Sequence, residues 1–171
     1  AIISSDFEDV LLKKGVSRDI IERGKEFIKS ISVAKEALAL ADAGLVTSMH
    51  DPTEGGLIGG LTEIAYASRK TIEIWEERVP VAPETKVMCE ALNIDTLKLI
   101  SSGVLVATVP EEKVSEAMRL LESIGIQVTI IGKVLDFNGY LVTIHRKDGR
   151  MEHIDTIHVT DELVKLWEEY K

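Results

Sequence analysis

The stretch "VTSMHDPTEGGLIGGLTEIAYAS", residues 46–68, constrains the fold of this chain more than any other. Val46 and Met49 read as the end of a strand. Pro52 cannot continue a helix and holds Asp51 in extended geometry. From Leu57 onward, Leu57, Leu61, Ile64, Ala65 and Ser68 recur at helical spacing. Residues 51–56 are therefore a tight strand-to-helix loop with the first amides of the helix pointing into it. Gly55 and Gly56 sit in that loop, and Gly59 and Gly60 follow inside the helix, where each glycine costs about 0.5–1 kcal/mol against alanine. Two physical causes repay such a cost. Bare backbone at a helix N-terminus lets an anion approach free amides, and it equally lets helix and neighbouring chain pack closely. Spacing alone leaves both open, because a lone glycine-rich loop is a weak signal.

The rest of the composition narrows the class. With 171 residues and 45% hydrophobic content, the chain supports one well-buried core and is read as a single domain over residues 1–171. A net charge of -9 argues against duplex nucleic acid as a partner. No apolar run reaches the 18 residues of a membrane span, so no membrane association is expected. The single cysteine, Cys89, excludes an internal disulfide and a multi-cysteine zinc site, and its apolar neighbours predict a buried structural thiol. The cytoplasm is the compartment this implies. Richness in Glu, Lys and Ile is compatible with a thermophile. His145, His153 and His158 lack the spacing of a metal site, and neither a Gly-x-Ser-x-Gly elbow nor a P-loop is present, so no metal ligands and no catalytic residues are assigned.

Along the chain, Ser5 and Glu8 in "SDFE" have the form of a capping box opening a first helix. Ser17 caps a second, and Ser32 a third in which Val33, Ala37, Leu38 and Ala41 line one face. "KTIEIW" alternates as a half-buried strand with Ile72 and Ile74 on one face. Pro83 starts a helix that ends near Asn93. "GVLVATV", residues 103–109, reads as a central strand covered on both faces. Pro110 precedes a helix carrying Val114, Ala117, Met118, Leu121 and Ile124. "IQVTIIGKVLD" and "GYLVTIHRKDG" read as two strands joined by a turn at Asn138 and Gly139. Thr160 caps a last helix with Leu163, Trp167 and Tyr170 on one face. The expected class is α+β, a three-layer α/β/α sandwich with a mixed sheet. Ser101, Ser102 and Gly103 precede the apolar run and read either as a turn or as hydroxyls offered to the same cleft. Glu63 reads as a solvated or capping carboxylate.

"MHDPTEGGLIGGLTEIAYAS" resembles the "DPTRGGLxxxLNEIAxAS" signature of the HypE-like hydrogenase maturation proteins. These belong to the superfamily of aminoimidazole ribonucleotide synthetase, selenophosphate synthetase and thiamine monophosphate kinase. The resemblance continues through "IEIWEERVPVAPETKVMCEALNIDTLKLISSGVLVATVPEEK" to "IIGKV", covering about residues 44–135. It implies the C-terminal domain of a two-domain, ATP-dependent parent, with the N-terminal ATP-binding domain absent from these residues. ATP and Mg in that parent are held mostly by the other domain, none by this chain alone. The partners implied are that N-terminal domain and a second copy in a homodimer. Removing the other domain is expected to leave an apolar surface near the first third of this chain, which alone is then a monomer or a weak dimer.

By the same resemblance, Asp51, Pro52, Thr53, Glu54, Gly55, Gly56 and Gly59 form a phosphate- or substrate-binding loop, and His50, Ser101, Ser102 and Gly103 are candidates to line its cleft. Two departures change the chemistry. The arginines of the usual "RDPTRGG" are His50 and Glu54, which removes two positive charges and adds a negative one. The C-terminal "PRIC"-like cysteine tail of the family has no counterpart in "LVKLWEEYK". Holding only half of the site the resemblance implies, this chain alone is expected to be inactive. The alternatives are a non-catalytic binding or regulatory module that kept the fold, or part of another ATP-dependent member of the superfamily.

Overall fold

The computed structural model describes residues 1–170. Helices α1 (Ile2–Asp6), α2 (Glu8–Lys13), α3 (Arg18–Glu26) and α4 (Ala34–Asp42) precede strand β1 (Ser48–His50) and helix α5 (Gly56–Ser68). Then come β2 (Lys70–Trp75), α6 (Pro83–Leu92), β3 (Val106–Thr108), α7 (Val114–Ser123), β4 (Gly132–Asp136), β5 (Val142–His145), β6 (Met151–Ile154) and α8 (Glu162–Tyr170). The class is the mixed α+β fold expected from the sequence.

The main sheet has four strands in the order β4-β2-β5-β6. β2 runs parallel to β5 and antiparallel to β4, and β5 runs antiparallel to β6. Ile72 pairs with Val142 and Ile74 with Ile144, so four buried aliphatic side chains share one face. Leu57, Ile58, Leu61 and Ala65 of α5 complete that cluster. The opposite face carries polar and aromatic groups. His145 bonds the Glu73 carboxylate through Nε2 at 2.7 Å, while its ring stacks on Trp75 with centroids 4.9 Å apart.

Two further clusters flank this one. α1–α3, α6 and α8 bury Phe7, Leu11, Ile21, Met88, Leu92, Leu163 and Leu166 together. α4 and α7 enclose Leu40, Leu45, Ala117 and Leu121 against the small antiparallel sheet of β1 and β3. Cys89 is buried as expected, and burial pushes its thiol up to about 11.

Several local expectations are corrected. The capping box fails because Ser5 lies inside α1, and Phe7 separates two short helices. In α4 the buried residue is Leu40, and Leu38 is exposed. Only Val106–Thr108 of "GVLVATV" is a strand, half-buried, and it pairs with β1 rather than entering the main sheet. β4 and β5 flank the Asn138 turn, yet β2 lies between them, so they form no hairpin. α8 is capped by Asp161, whose Oδ1 accepts from the Leu163 amide at 2.8 Å, and not by Thr160.

Candidate functional site

β1 delivers the chain into the loop at residues 51–55, and α5 leads it away. Asp51, Thr53 and Glu54 are exposed, while Pro52, Gly55, Gly56, Gly59 and Gly60 are buried. Each loop glycine faces atoms of the chain itself. Gly55 has φ +74, and a Cβ there would lie 2.9 Å from the Val159 carbonyl oxygen. Gly56 has φ +63, and its Cβ would meet the Leu99 and Leu97 carbonyl oxygens at 2.5 and 2.7 Å. Both need glycine twice over, for the left-handed backbone and for the space. At Gly59 the obstacle is the Glu54 carbonyl oxygen, and at Gly60 the Pro52 ring. Packing therefore accounts for all four.

The amides are equally engaged. Gly55 N–H donates to Asp161 Oδ2 at 2.7 Å, and Gly56 N–H donates to the Thr53 carbonyl at 3.1 Å. Asp161 is only 6% exposed. Its two oxygens serve two helix N-termini, since Oδ1 caps α8 and Oδ2 takes the loop amide at the start of α5. An internal carboxylate stands where the dipole of α5 and a free amide attract an anion. Sequence inspection missed this residue. The "TDEL" run signals an N-cap, but nothing local signals a contact 106 residues away.

Of the residues expected in the cleft, Ser101 joins the loop directly. Its hydroxyl donates to the Pro52 carbonyl at 3.2 Å and its amide to the Thr53 carbonyl at 3.3 Å. Gly103 turns away and packs on the carbonyl of Ser30. Ser102 is exposed, and among the described residues no hydrogen bond joins it to the loop. His50 donates from Nε2 to Glu63 Oε2 at 2.5 Å, which gives Glu63 a partner one helical turn past the glycines. Glu54 accepts the Thr53 hydroxyl at 2.8 Å, and this bond, with one from its own amide, holds its carboxyl below the ordinary range. The rim is thus anionic at neutral pH. A shallow cleft of about 240 Å³ runs beside it, between Glu54, Gly59 and Glu63 on one side and residues 157–160 on the other. Among the described residues no group of three or more His, Cys, Asp or Glu is placed to hold a metal ion. Among them, too, no helix is long and apolar enough to cross a membrane.

Residues 14–144 match the family described as AIR synthase related protein, C-terminal domain. The chain belongs to this family. Its relatives are the HypE proteins of hydrogenase maturation. Over 107 residues it is 34% identical to the carbamoyl dehydratase HypE of Rhizobium leguminosarum bv. viciae, covering 61% of this chain and 31% of the relative. Escherichia coli HypE superposes with a TM-score of 0.65 at 27% identity, over 75% of this chain and 40% of that one. A hydrogenase maturation protein HypE in complex with ATP superposes with a TM-score of 0.59 at 28% identity, over 69% of this chain and 37% of that one. The chain thus spans about a third of the length of the relatives it matches.

Proposed function

We propose that this chain works as the C-terminal part of a HypE-like, ATP-dependent maturation protein. In that assembly the loop at residues 51–59 borders a cleft in which a substrate oxygen is activated by phosphoryl transfer. The observation that carries the reading is the position of the loop. It lies at the N-terminus of α5, with Glu54 lining a cleft and Asp51 and Thr53 exposed nearby, within the residues 14–144 that match the family, to which a HypE solved with ATP is similar. Phosphoryl transfer depends on positioning and charge stabilisation more than on covalent chemistry from the protein. The groups that hold ATP and Mg belong, on this reading, to a region outside these residues. What this chain supplies is a wall of the cleft and the orientation of His50 through Glu63.

The test is assembly. The purified 171 residues should hydrolyse no ATP, and mixing them with the ATP-binding portion of a HypE relative should restore nucleotide binding, read by titration calorimetry. Turnover by the 171 residues alone would overturn the proposal. The second reading, a non-catalytic module that kept the fold, is favoured by one feature, the occupation of the Gly55 amide by Asp161. It predicts that no partner domain confers nucleotide binding.

A further inference from the structure

We infer that Asn138 is a site of self-modification, at which the backbone nitrogen of Gly139 closes on the asparagine side chain and expels ammonia. The site lies on the loop between β4 and β5, residues 137–141, and is independent of the cleft reading above. The chain has two asparagines, Asn93 and Asn138, and one Asp-Gly pair at Asp148 and Gly149. In each case the next backbone nitrogen along the chain is the nucleophile. At Asn93 that nitrogen belongs to Ile94, whose N–H donates to the Cys89 carbonyl at 3.1 Å and whose branched side chain crowds it. At Asp148 the Gly149 N–H donates to the Arg146 carbonyl at 3.0 Å. Bonds from the Arg150 amide and guanidinium also hold the Asp148 carboxyl below its ordinary range, and an ionised carboxylate is a poor electrophile. Gly139 differs. Among the described residues its N–H donates to nothing, the residue is exposed, and no atom lies within 4 Å of its Cβ position.

The electrophile is held for the reaction as well. Asn138 Oδ1 accepts the Tyr140 N–H at 3.3 Å and lies 3.1 Å from the donating Thr71 hydroxyl. Both donors draw electron density from Cγ, and both face the oxygen on which charge grows when a nucleophile adds. Thr71 is fully buried in β2; its hydroxyl also reaches the Tyr140 carbonyl at 2.6 Å and accepts the Asn138 backbone N–H at 3.2 Å. This clamp grips the residues on either side of Gly139 and leaves Gly139 itself unheld. The Gly139 nitrogen bonds to Cγ, the Cγ–Nδ2 bond breaks, and the proton lost by that nitrogen leaves with the ammonia. The product is a five-membered imide. Water then adds to one of the two imide carbonyl carbons, and the C–N bond there breaks as a proton passes to nitrogen. Opening at Cγ gives aspartate, and opening at the backbone carbonyl gives isoaspartate. Water is the one co-reactant, and nothing is oxidised or reduced. Aspartate keeps an oxygen for the Thr71 and Tyr140 donors, whereas isoaspartate runs the main chain through the side-chain carbons and pulls the loop off Thr71.

The experiment incubates the folded 171-residue protein in heavy-oxygen water at mildly alkaline pH, then digests it and follows the peptides by mass spectrometry. The peptide holding Asn138 should exchange its carboxamide nitrogen for heavy oxygen at least roughly tenfold faster than the peptide holding Asn93, the factor set by freeing one bonded amide. The peptide holding Asp148 should lag in the same way. The same chain unfolded in urea is the reference, since there no clamp acts on any of the three positions. Asn138→Ser has no carboxamide to lose and should leave its peptide unlabelled. Conversion of Asn138 in urea but not in the folded protein would mean that the Thr71 clamp protects the turn, and it overturns the inference. Equal rates at Asn93 and Asn138 in the folded protein overturn it too, as does label in the Asn138→Ser peptide. The decisive comparison uses the wild-type chain, so it stands even if the variant does not fold.

Discussion

The chemistry of the glycine-rich loop turns on single backbone positions. Gly56 is the tightest, since two carbonyl oxygens, those of Leu97 and Leu99, stand where a methyl group would go and the backbone is left-handed besides. Backbone carbonyls cannot swing aside as a flexible side chain can. Gly56→Ala should therefore cost about 3 kcal/mol or more, combining overpacking with the left-handed penalty. Gly15 offers the control, for it has φ +88 and nothing within 4 Å of its Cβ position. Gly15→Ala should cost only about 1–2 kcal/mol, the conformational part alone. Urea midpoints of the two variants separate space from backbone strain. Equal losses would mean that the crowding around Gly56 relaxes and that packing is not why glycine stands there.

At the scale of elements, charge joins pieces that the core does not. Arg146, at the end of β5, is almost fully covered and bonds Asp95 Oδ2 at 2.6 Å and Glu152 Oε2 at 2.5 Å. Lys98 adds a second bond to Glu152 at 2.8 Å. The hairpin of β5 and β6 is thereby tied to the turn that follows α6. Burial pushes the Glu152 carboxyl up, but the bonds from Lys98 and Arg146 outweigh it and hold the folded pKa below the ordinary 4.5. A depressed folded pKa means stability that is fully present above the unfolded value and lost as pH falls through the folded one. Wild-type urea midpoints should accordingly decline below about pH 4.5, and Glu152→Gln should flatten part of that decline while lowering the plateau at pH 7. An unchanged acid limb in the variant would show that Glu152 does not couple folding to protons.

What was legible in the sequence at this scale is what local chemistry decides. The loop at residues 51–56, the helix after it, the Ser17 cap, the Pro83 start and the alternation of Ile72 and Ile74 all follow from neighbours along the chain. β3 was misplaced because a short apolar run looks alike in a central strand and in a two-stranded ribbon. β4 and β5 were paired across their turn because the insertion of β2 between them leaves no local trace. The candidate site divides the same way. The loop and Ser101 were legible, but the bond from Gly55 to Asp161 was not, since it joins positions 106 residues apart and uses a residue whose nearer duty is to cap α8.

Across the whole molecule, the three clusters differ in depth, and that difference sets where the protein opens. The helical cluster and the sheet-and-α5 cluster each hold ten or more buried residues, whereas the one around α4 and α7 holds Leu40, Leu45, Ala117 and Leu121. The sheet beneath it is a pair of three-residue strands, and isolated two-stranded ribbons are marginal in water. Less apolar area is exposed when this lobe opens alone than when all three clusters open, so its opening should need less free energy than global unfolding. Native-state hydrogen exchange gives the test. Amides paired between β1 and β3 should exchange through a local, weakly denaturant-dependent opening, at least tenfold faster than those paired between β2 and β5. If both sets exchange together with one denaturant dependence, the lobe is not a separate unit. The consequence for the cleft is direct. β1 ends at His50, and the loop begins at the next residue, so each opening of the α4–α7 lobe would loosen the loop from its β1 end. The loop thus borders the lobe expected to open first, and this makes it the part of the fold best placed to rearrange around a ligand.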